Sequence, residues 1–270
     1  MSNAGIPSGA SGASGVSDVS DMSDPSDLRN PSEVSDPSDS GGASAACAVI
    51  VFAKAPLAGF AKTRLIPALG VSGAARLAEH MLGHAVRQAV AAGIGPVELC
   101  CAPDATHPAF GSLAALLGVA LTEQGPGDLG ARMQRAFARR LAHGALPAVG
   151  AALLIGTDAP ALDAAMLKRA RDALAGHDAH DTHDEQDTHA AHAAVFVPAL
   201  DGGYALVGLR RPAPGLFEGM AWSTSTVMAA TRQRVAMLGL RCIELDAVAD
   251  IDEPADLVHA PPAWLAPALP

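Results

Sequence analysis

The chain is poor in aromatic residues: its 270 positions hold six Phe, two Trp and one Tyr. Its core must therefore be built mainly from Ala, Leu and Val, and an apolar content of 50% is ample for that. Long hydrophobic runs are missing too. No stretch approaches the roughly 18 apolar residues that span a bilayer, which excludes membrane insertion through a helix. The first residues have neither the basic region nor the apolar region of a secretory leader. Cysteine is scarce: Cys47, Cys100, Cys101 and Cys242 contain no C-x-x-C pair. They read as buried free thiols of a reducing, cytoplasmic protein. A long basic run is also absent. The formal charge of −10 comes from residues 1–45, with seven acids and one base, and residues 177–192, with five acids and no base. The remainder holds sixteen acids and seventeen bases, so the body is near neutral and shows no stripe for nucleic acid.

The composition divides the chain. Residues 1–45 are Ser, Gly, Asp and Pro with few large side chains, and are expected to be a disordered tail. Residues 46–260 read as one domain. It is interrupted at 176–192 by an insertion rich in His and Asp, read as a disordered loop rather than a metal site because nothing apolar frames its histidines. Residues 261–270 are expected to be a flexible end. Within the domain, apolar runs alternate with helical patterns. Strands are expected at 47–53, 97–102, 118–121, 151–156, 194–197, 204–209 and 242–245. Helices are expected at 72–92, 106–117, 127–143, from Pro160 to about Ala175, and at 224–238. In the first helix, Leu82, Val86 and Val90 form one apolar row, with Leu77, Met81 and Ala85 beside it. The alternation predicts an α/β fold: an open, mostly parallel sheet with helices on both faces. Such sheets bind ligands beyond the carboxyl ends of their strands.

The polar motifs fall at those ends. Lys54 to Leu65, after the first strand, carries Gly59, Lys62 and Arg64. It suits phosphate binding, or else is a solvated basic loop. It is not a P-loop, because Ala61 precedes Lys62 and Pro56 stands where the earlier Gly would be. Gln124 to Met133 carries Asp128 and Gly130, either as a helix start or as a backbone wall for a base. Asp158 follows an all-apolar strand predicted to be central. It suits a hard divalent cation held by one or two carboxylates and substrate phosphates; the alternative is a helix cap. Asp201-Gly202-Gly203 is either a hairpin turn or a second metal ligand or base with room for a ligand. Trp222 precedes the N-cap candidates Ser223 and Thr224 and borders a possible acceptor pocket. Asp252 reads as the cap of a short terminal helix beginning near Glu253, in preference to a metal ligand.

These segments together resemble the bacterial DUF2064 proteins, also called selenodomain-associated transferase 1 or arsenosugar-biosynthesis-type glycosyltransferases. The resemblance runs over about Val49–Leu257. It rests on Phe52-Ala53-Lys54-Ala55-Pro56, Lys62-Thr63-Arg64-Leu65, Gly127-Asp128-Leu129-Gly130 with Arg132-Met133, Gly156-Thr157-Asp158 with Pro160, Asp201-Gly202-Gly203-Tyr204, Trp222-Ser223 and Asp250-Ile251-Asp252. Ala159, Leu200 and Ala205 depart from the family pattern. The resemblance implies a glycosyltransferase-A fold of the nucleotide-diphospho-sugar transferase kind. It also implies phosphate contacts at Lys62 and Arg64 and a metal at Asp158. The expected activity is glycosyl transfer from a nucleotide sugar to a small-molecule acceptor, with Mg²⁺ or Mn²⁺ on Asp158 and Asp201. The competing readings are nucleotidyl transfer from a nucleoside triphosphate, as in the similar phospholactate guanylyltransferases, and nucleotide binding without catalysis. The expected binding residues are Lys54, Gly59, Lys62, Arg64, Asp128, Gly130, Gly202, Gly203 and Trp222.

Overall fold

A computed structural model of the protein describes residues 46–145, 147–176 and 193–266. The chain divides into the units Met1–Gly42 and Ala43–Pro270. The first lies outside the described residues, as does nearly all of the His-rich insertion, so the readings made for the tail and insertion fall there too.

Among the described residues, seven strands form one sheet in the order β3-β2-β1-β4-β6-β5-β7. They are β1 (Cys47–Lys54), β2 (Val97–Ala102), β3 (Ala120–Glu123), β4 (Ala151–Ile155), β5 (Ala194–Pro198), β6 (Tyr204–Leu209) and β7 (Cys242–Glu244). All pairs are parallel except those of β6, which runs antiparallel to both β4 and β5. The sheet is thus mostly parallel, with β4 inside it, as its unbroken apolar sequence predicts.

The two-residue period of β1 sorts the core. Val49, Val51 and Ala53 face a cluster with Leu82, Val86 and Ala89 of α1 (Ile66–Ala92), Phe110 of α2 (Pro108–Leu117) and Leu167 of α4 (Ala164–Ala175). Ala48, Ile50 and Phe52 face Met133 and Phe137 of α3 (Leu129–Leu141) and Met228 and Val235 of α5 (Val227–Met237). Helices therefore cover both faces. Burial pushes the thiols of Cys47 and Cys101 up to about 12, so both stay protonated; all four cysteines are free. No described helix is long and apolar enough to cross a membrane.

Several boundaries differ from the sequence reading. Helix α1 begins earlier, at Ile66, but Gly70 breaks it with φ 71° and ψ 167°, so the run after the kink is the helix the periodicity predicts. Val90 in that helix is exposed rather than part of the buried row. Pro160 does not open α4. That helix starts at Ala164, where the Asp163 carboxylate accepts a bond from the Met166 N–H at 2.8 Å. The segment expected to be a flexible C-terminus carries a short helix, α6 (Pro262–Leu265). Its Trp264 packs on a third apolar cluster made of Leu65, Ala74, Leu77, Met81, Ile251 and Ala260.

Candidate active site at the carboxyl rim

The carboxyl ends of β1, β4, β5 and β7 open on one rim, because these strands run the same way. The loop after β1 turns at Gly59, φ 84°, and again at Lys62, which holds the left-handed conformation (φ 49°, ψ 46°) that non-glycine residues rarely adopt. That turn sends the Lys62 side chain inward, where it is 8% exposed. Its ammonium donates to the Ile251 carbonyl at 2.6 Å, pairs with Asp158 Oδ1 at 2.9 Å, and lies 3.6 Å from Asp252 Oδ1. Arg64, exposed, bonds Asp252 Oδ2 at 2.6 Å and lies 3.9 Å from Glu253. The backbone closes the same junction: the Ile251 N–H donates to the Asp158 carbonyl at 2.9 Å. Three segments far apart in sequence thus meet at one ammonium group.

Asp252 is therefore not the cap of the terminal helix. The 3-10 helix Pro254–His259 is capped by Glu253. The Asp256 carboxylate accepts bonds from the Glu253 and Asp252 N–H groups at 2.7 and 3.0 Å, and these hold its pKa below the usual carboxylate range. Asp252 is left free to bind Arg64.

Sequence reading missed Asp250. It is half-buried beside Ile251, and its carboxyl is pushed up first by desolvation, then by the charges of Asp201, Asp256 and Asp158. Asp158 and Asp201 are therefore each near enough to Asp250 to repel its charge. The available signals were the Asp-x-Asp spacing and the place of Asp250-Ile251-Asp252 in the family resemblance, and reading Asp252 as a cap leaves Asp250 without a role.

The other predicted residues divide. Lys54 is exposed where β1 ends on the rim. Asp201 lies in the turn between β5 and β6; its Oδ1 accepts the Gly203 N–H at 2.7 Å, and the Leu200 N–H bonds Val248. Gly202, φ 94°, lies so close to the Ser225 backbone that a side chain would collide with it, and its carbonyl accepts the Met228 N–H at 2.8 Å. Asp128 caps α3 by accepting the Ala131 N–H at 2.8 Å. The space above Gly130 is filled by the Phe217 carbonyl and the Trp222 ring, so this glycine admits a neighbouring side chain. Trp222 is half-buried there, edge-on to Tyr204. Gln124 is buried and spends its side-chain amide on the Ala53 and Cys100 carbonyls.

The acids suit a hard cation by chemistry, since all offer carboxylate oxygen. Thr157 and Lys62 both bond Oδ1 of Asp158, which leaves Oδ2 for another partner. Among the described residues no three His, Cys, Asp or Glu groups form a ready cage. The donor set fits an ion held partly by a ligand's phosphates, not one enclosed by protein.

An open, mostly parallel sheet with charged loops at its carboxyl rim is the fold of nucleotide-diphospho-sugar transferases. The chain matches over 78% of its length, at 27% identity and a TM-score of 0.65, a provisionally assigned nucleotide-diphospho-sugar transferase from Desulfovibrio desulfuricans, of which 84% is covered. Within that class, the chain belongs to the family described as an uncharacterized protein conserved in bacteria (DUF2064), which matches residues 85–224, just over half of it. Fainter likenesses include 4-diphosphocytidyl-2C-methyl-D-erythritol synthase from Anaerococcus prevotii, at 8% identity and TM-score 0.48, covering 79% of this chain and 95% of that one. Another is glucosyl-3-phosphoglycerate synthase from Mycobacterium tuberculosis, solved with Mn²⁺, UDP and glucosyl-3-phosphoglycerate, at 10% identity and TM-score 0.45, covering 82% and 76%. No curated protein matches the chain in sequence.

Proposed function

We propose that this protein transfers a glycosyl group from a nucleotide sugar to a small-molecule acceptor, using a divalent metal. The observation that carries the reading is the junction at the rim. Lys62, Arg64, Asp158 and Asp252 meet there in direct bonds, and Asp250 lies close enough to feel the charges of both Asp158 and Asp201.

In this reading Asp158 and Asp250 hold Mg²⁺ or Mn²⁺ together with the donor diphosphate. When bound, the ion neutralises charge that grows on the leaving nucleoside diphosphate. Arg64, exposed and tied at one nitrogen, turns its remaining N–H groups to the same phosphates, and Lys62 adds fixed positive charge behind Asp158. Asp201, on the exposed turn, accepts the proton of the acceptor hydroxyl. Trp222 borders the acceptor. The charge balance favours a diphosphate donor over a triphosphate: Lys62 and Arg64 are already paired with carboxylates, so the junction offers little surplus positive charge. The fold likeness to the Desulfovibrio desulfuricans transferase supports the same choice.

The test is a thermal-shift screen of nucleotide sugars and nucleoside triphosphates, with and without Mg²⁺ or Mn²⁺, on the wild type and Asp158→Asn. A nucleotide sugar at a hundredfold its Kd should stabilise the wild type by about 2.7 kcal/mol. That is roughly 5–10 °C in a domain of this size. The shift should require the metal and vanish in Asp158→Asn, and turnover should release nucleoside diphosphate. Pyrophosphate release from a triphosphate would establish nucleotidyl transfer instead. Binding that ignores both metal and Asp158 would leave a nucleotide-binding protein without this chemistry.

A further inference from the structure

The loop that presents Asp158 is tied down by a helix that the chemistry above does not use. On α1, His80, His84 and Gln88 stand one turn apart on a single stripe. The two histidines share one partner, and Gln88 has another. His80 stacks on the Trp264 ring at a centroid distance of 6.2 Å and an interplanar angle of 6°. His84 meets the same ring edge-on at 5.2 Å, and its Nε2 lies 3.0 Å from the Pro160 carbonyl. Gln88 accepts the Ala164 N–H at 3.0 Å, where α4 begins. Since a carbonyl oxygen only accepts, the His84 Nε2 carries the proton and donates it.

Two consequences follow for Asp158. It lies two residues before Pro160, so the imidazole N–H anchors the chain just after it. Its own carbonyl accepts the Ile251 N–H, which anchors the Asp158 peptide directly. Trp264 bears on both anchors. It holds the His84 ring directly and packs on the apolar cluster that contains Ile251. A carboxylate at the end of a strand would otherwise swing with its loop, and an ion site tolerates only a fraction of an ångström of such drift.

We infer that His84 is a positioning residue for the Asp158 carboxylate, and that Trp264 of the C-terminal helix sets the His84 ring for that task. The inference rests on the reading of Asp158 as a metal-holding group. It adds that the C-terminal segment, remote in sequence, is part of the site's support.

The probe is Mn²⁺ alone, titrated on the full-length chain and followed by loss of the free-ion paramagnetic signal. His84→Ala should weaken Mn²⁺ binding about fivefold, the factor one net hydrogen bond is worth. His84→Gln, whose amide N–H reaches the Pro160 carbonyl, should restore affinity to within about twofold. Trp264→Leu keeps an apolar side chain in the cluster and should lose about as much as His84→Ala. The double variant should be no weaker than His84→Ala, because both act through one bond. Gln88→Ala removes a bond of similar size from the far end of the loop and should lower the melting temperature while leaving Mn²⁺ affinity unchanged. The inference is overturned if His84→Ala binds Mn²⁺ like the wild type. It is equally overturned if His84→Gln is no better than His84→Ala, if the two losses add, or if Gln88→Ala weakens Mn²⁺ binding as much as His84→Ala. Asp158→Asn separates the two levels: if it binds Mn²⁺ as well as the wild type, the metal reading itself has failed.

Discussion

The rim of the sheet has two sides, built in different ways. On one side, Lys62, Arg64, Asp158, Asp250 and Asp252 come from three distant segments and are joined mainly through side-chain charge. On the other, Asp128, Gly130, Gly202 and Trp222 serve their own backbone. Asp128 caps a helix, Gly202 admits the Ser225 backbone, and Gly130 makes room for Trp222. Both sides carry motif residues, and the sequence alone treats them alike. The lesson is that a motif of glycine and aspartate near a helix start is satisfied locally. An acid after a buried strand, with no helix to cap, must find its partner elsewhere. Stability should therefore reside on the glycine side and ligand binding on the charged side.

The largest expected effect tests the glycine side. Gly130→Ala would press a methyl group against the Phe217 carbonyl and the Trp222 ring, and the first of these is backbone, which gives way only at a cost. Overpacking of this kind costs about 2–3 kcal/mol, or roughly 5–10 °C in melting temperature. Mn²⁺ binding to the folded variant should be unchanged. A folded Gly130→Ala protein with weakened Mn²⁺ binding would break the division.

Asp128→Ala sharpens it at a smaller scale. The variant loses one N-cap bond to Ala131, worth about 1 kcal/mol. A melting temperature lower by roughly 2–4 °C, at unchanged Mn²⁺ and nucleotide affinity, would mark Asp128 as a cap and nothing more. A wild-type melting temperature combined with lost nucleotide binding would move Asp128 to the other side.

The fold was legible because its signals are local and repeated. Apolar runs such as Ala151–Ile155 alternate with 3.6-residue patterns, which specifies a covered parallel sheet before any contact is known. The reversed direction of β6 was legible only through the turn before it: Asp201-Gly202-Gly203 as a hairpin sets β6 antiparallel to β5, while the apolar run Tyr204–Leu209 carries no direction of its own. In the site, the sequence places Lys62 and Asp158 only at the same carboxyl ends of the sheet. That the two are bonded depends on the left-handed turn at Lys62, which no residue type announces. Asp250 was passed over because its acidity is changed by burial and by acids from distant segments of the chain. The roles of His84 and Trp264 were invisible for the same reason: each depends on which helix face the C-terminus returns to.

The smallest expected change in stability has the opposite sign. Burial, then the charge of Asp201, raises the Asp250 carboxyl in the folded protein above its value in the unfolded chain. The folded state thus holds this proton to higher pH than the unfolded state does. Its stability falls as pH rises from about 4, the ordinary carboxylate range, through the folded-state value, and stays lower above it. Asp256, lowered by its backbone bonds, contributes in the other sense, but it is present in both proteins and largely cancels in the difference. Without metal, Asp250→Asn should therefore melt with the wild type at acid pH and increasingly above it toward neutrality. With Mn²⁺ the order should reverse at pH 7, because only the wild type gains by mass action from the ion. Melting curves at pH 4 and pH 7, with and without Mn²⁺, measure both halves. If Asp250→Asn is no more stable than the wild type at pH 7 without metal, the charged side carries no strain for ligand binding to relieve, and the contrast between the two sides of the rim collapses.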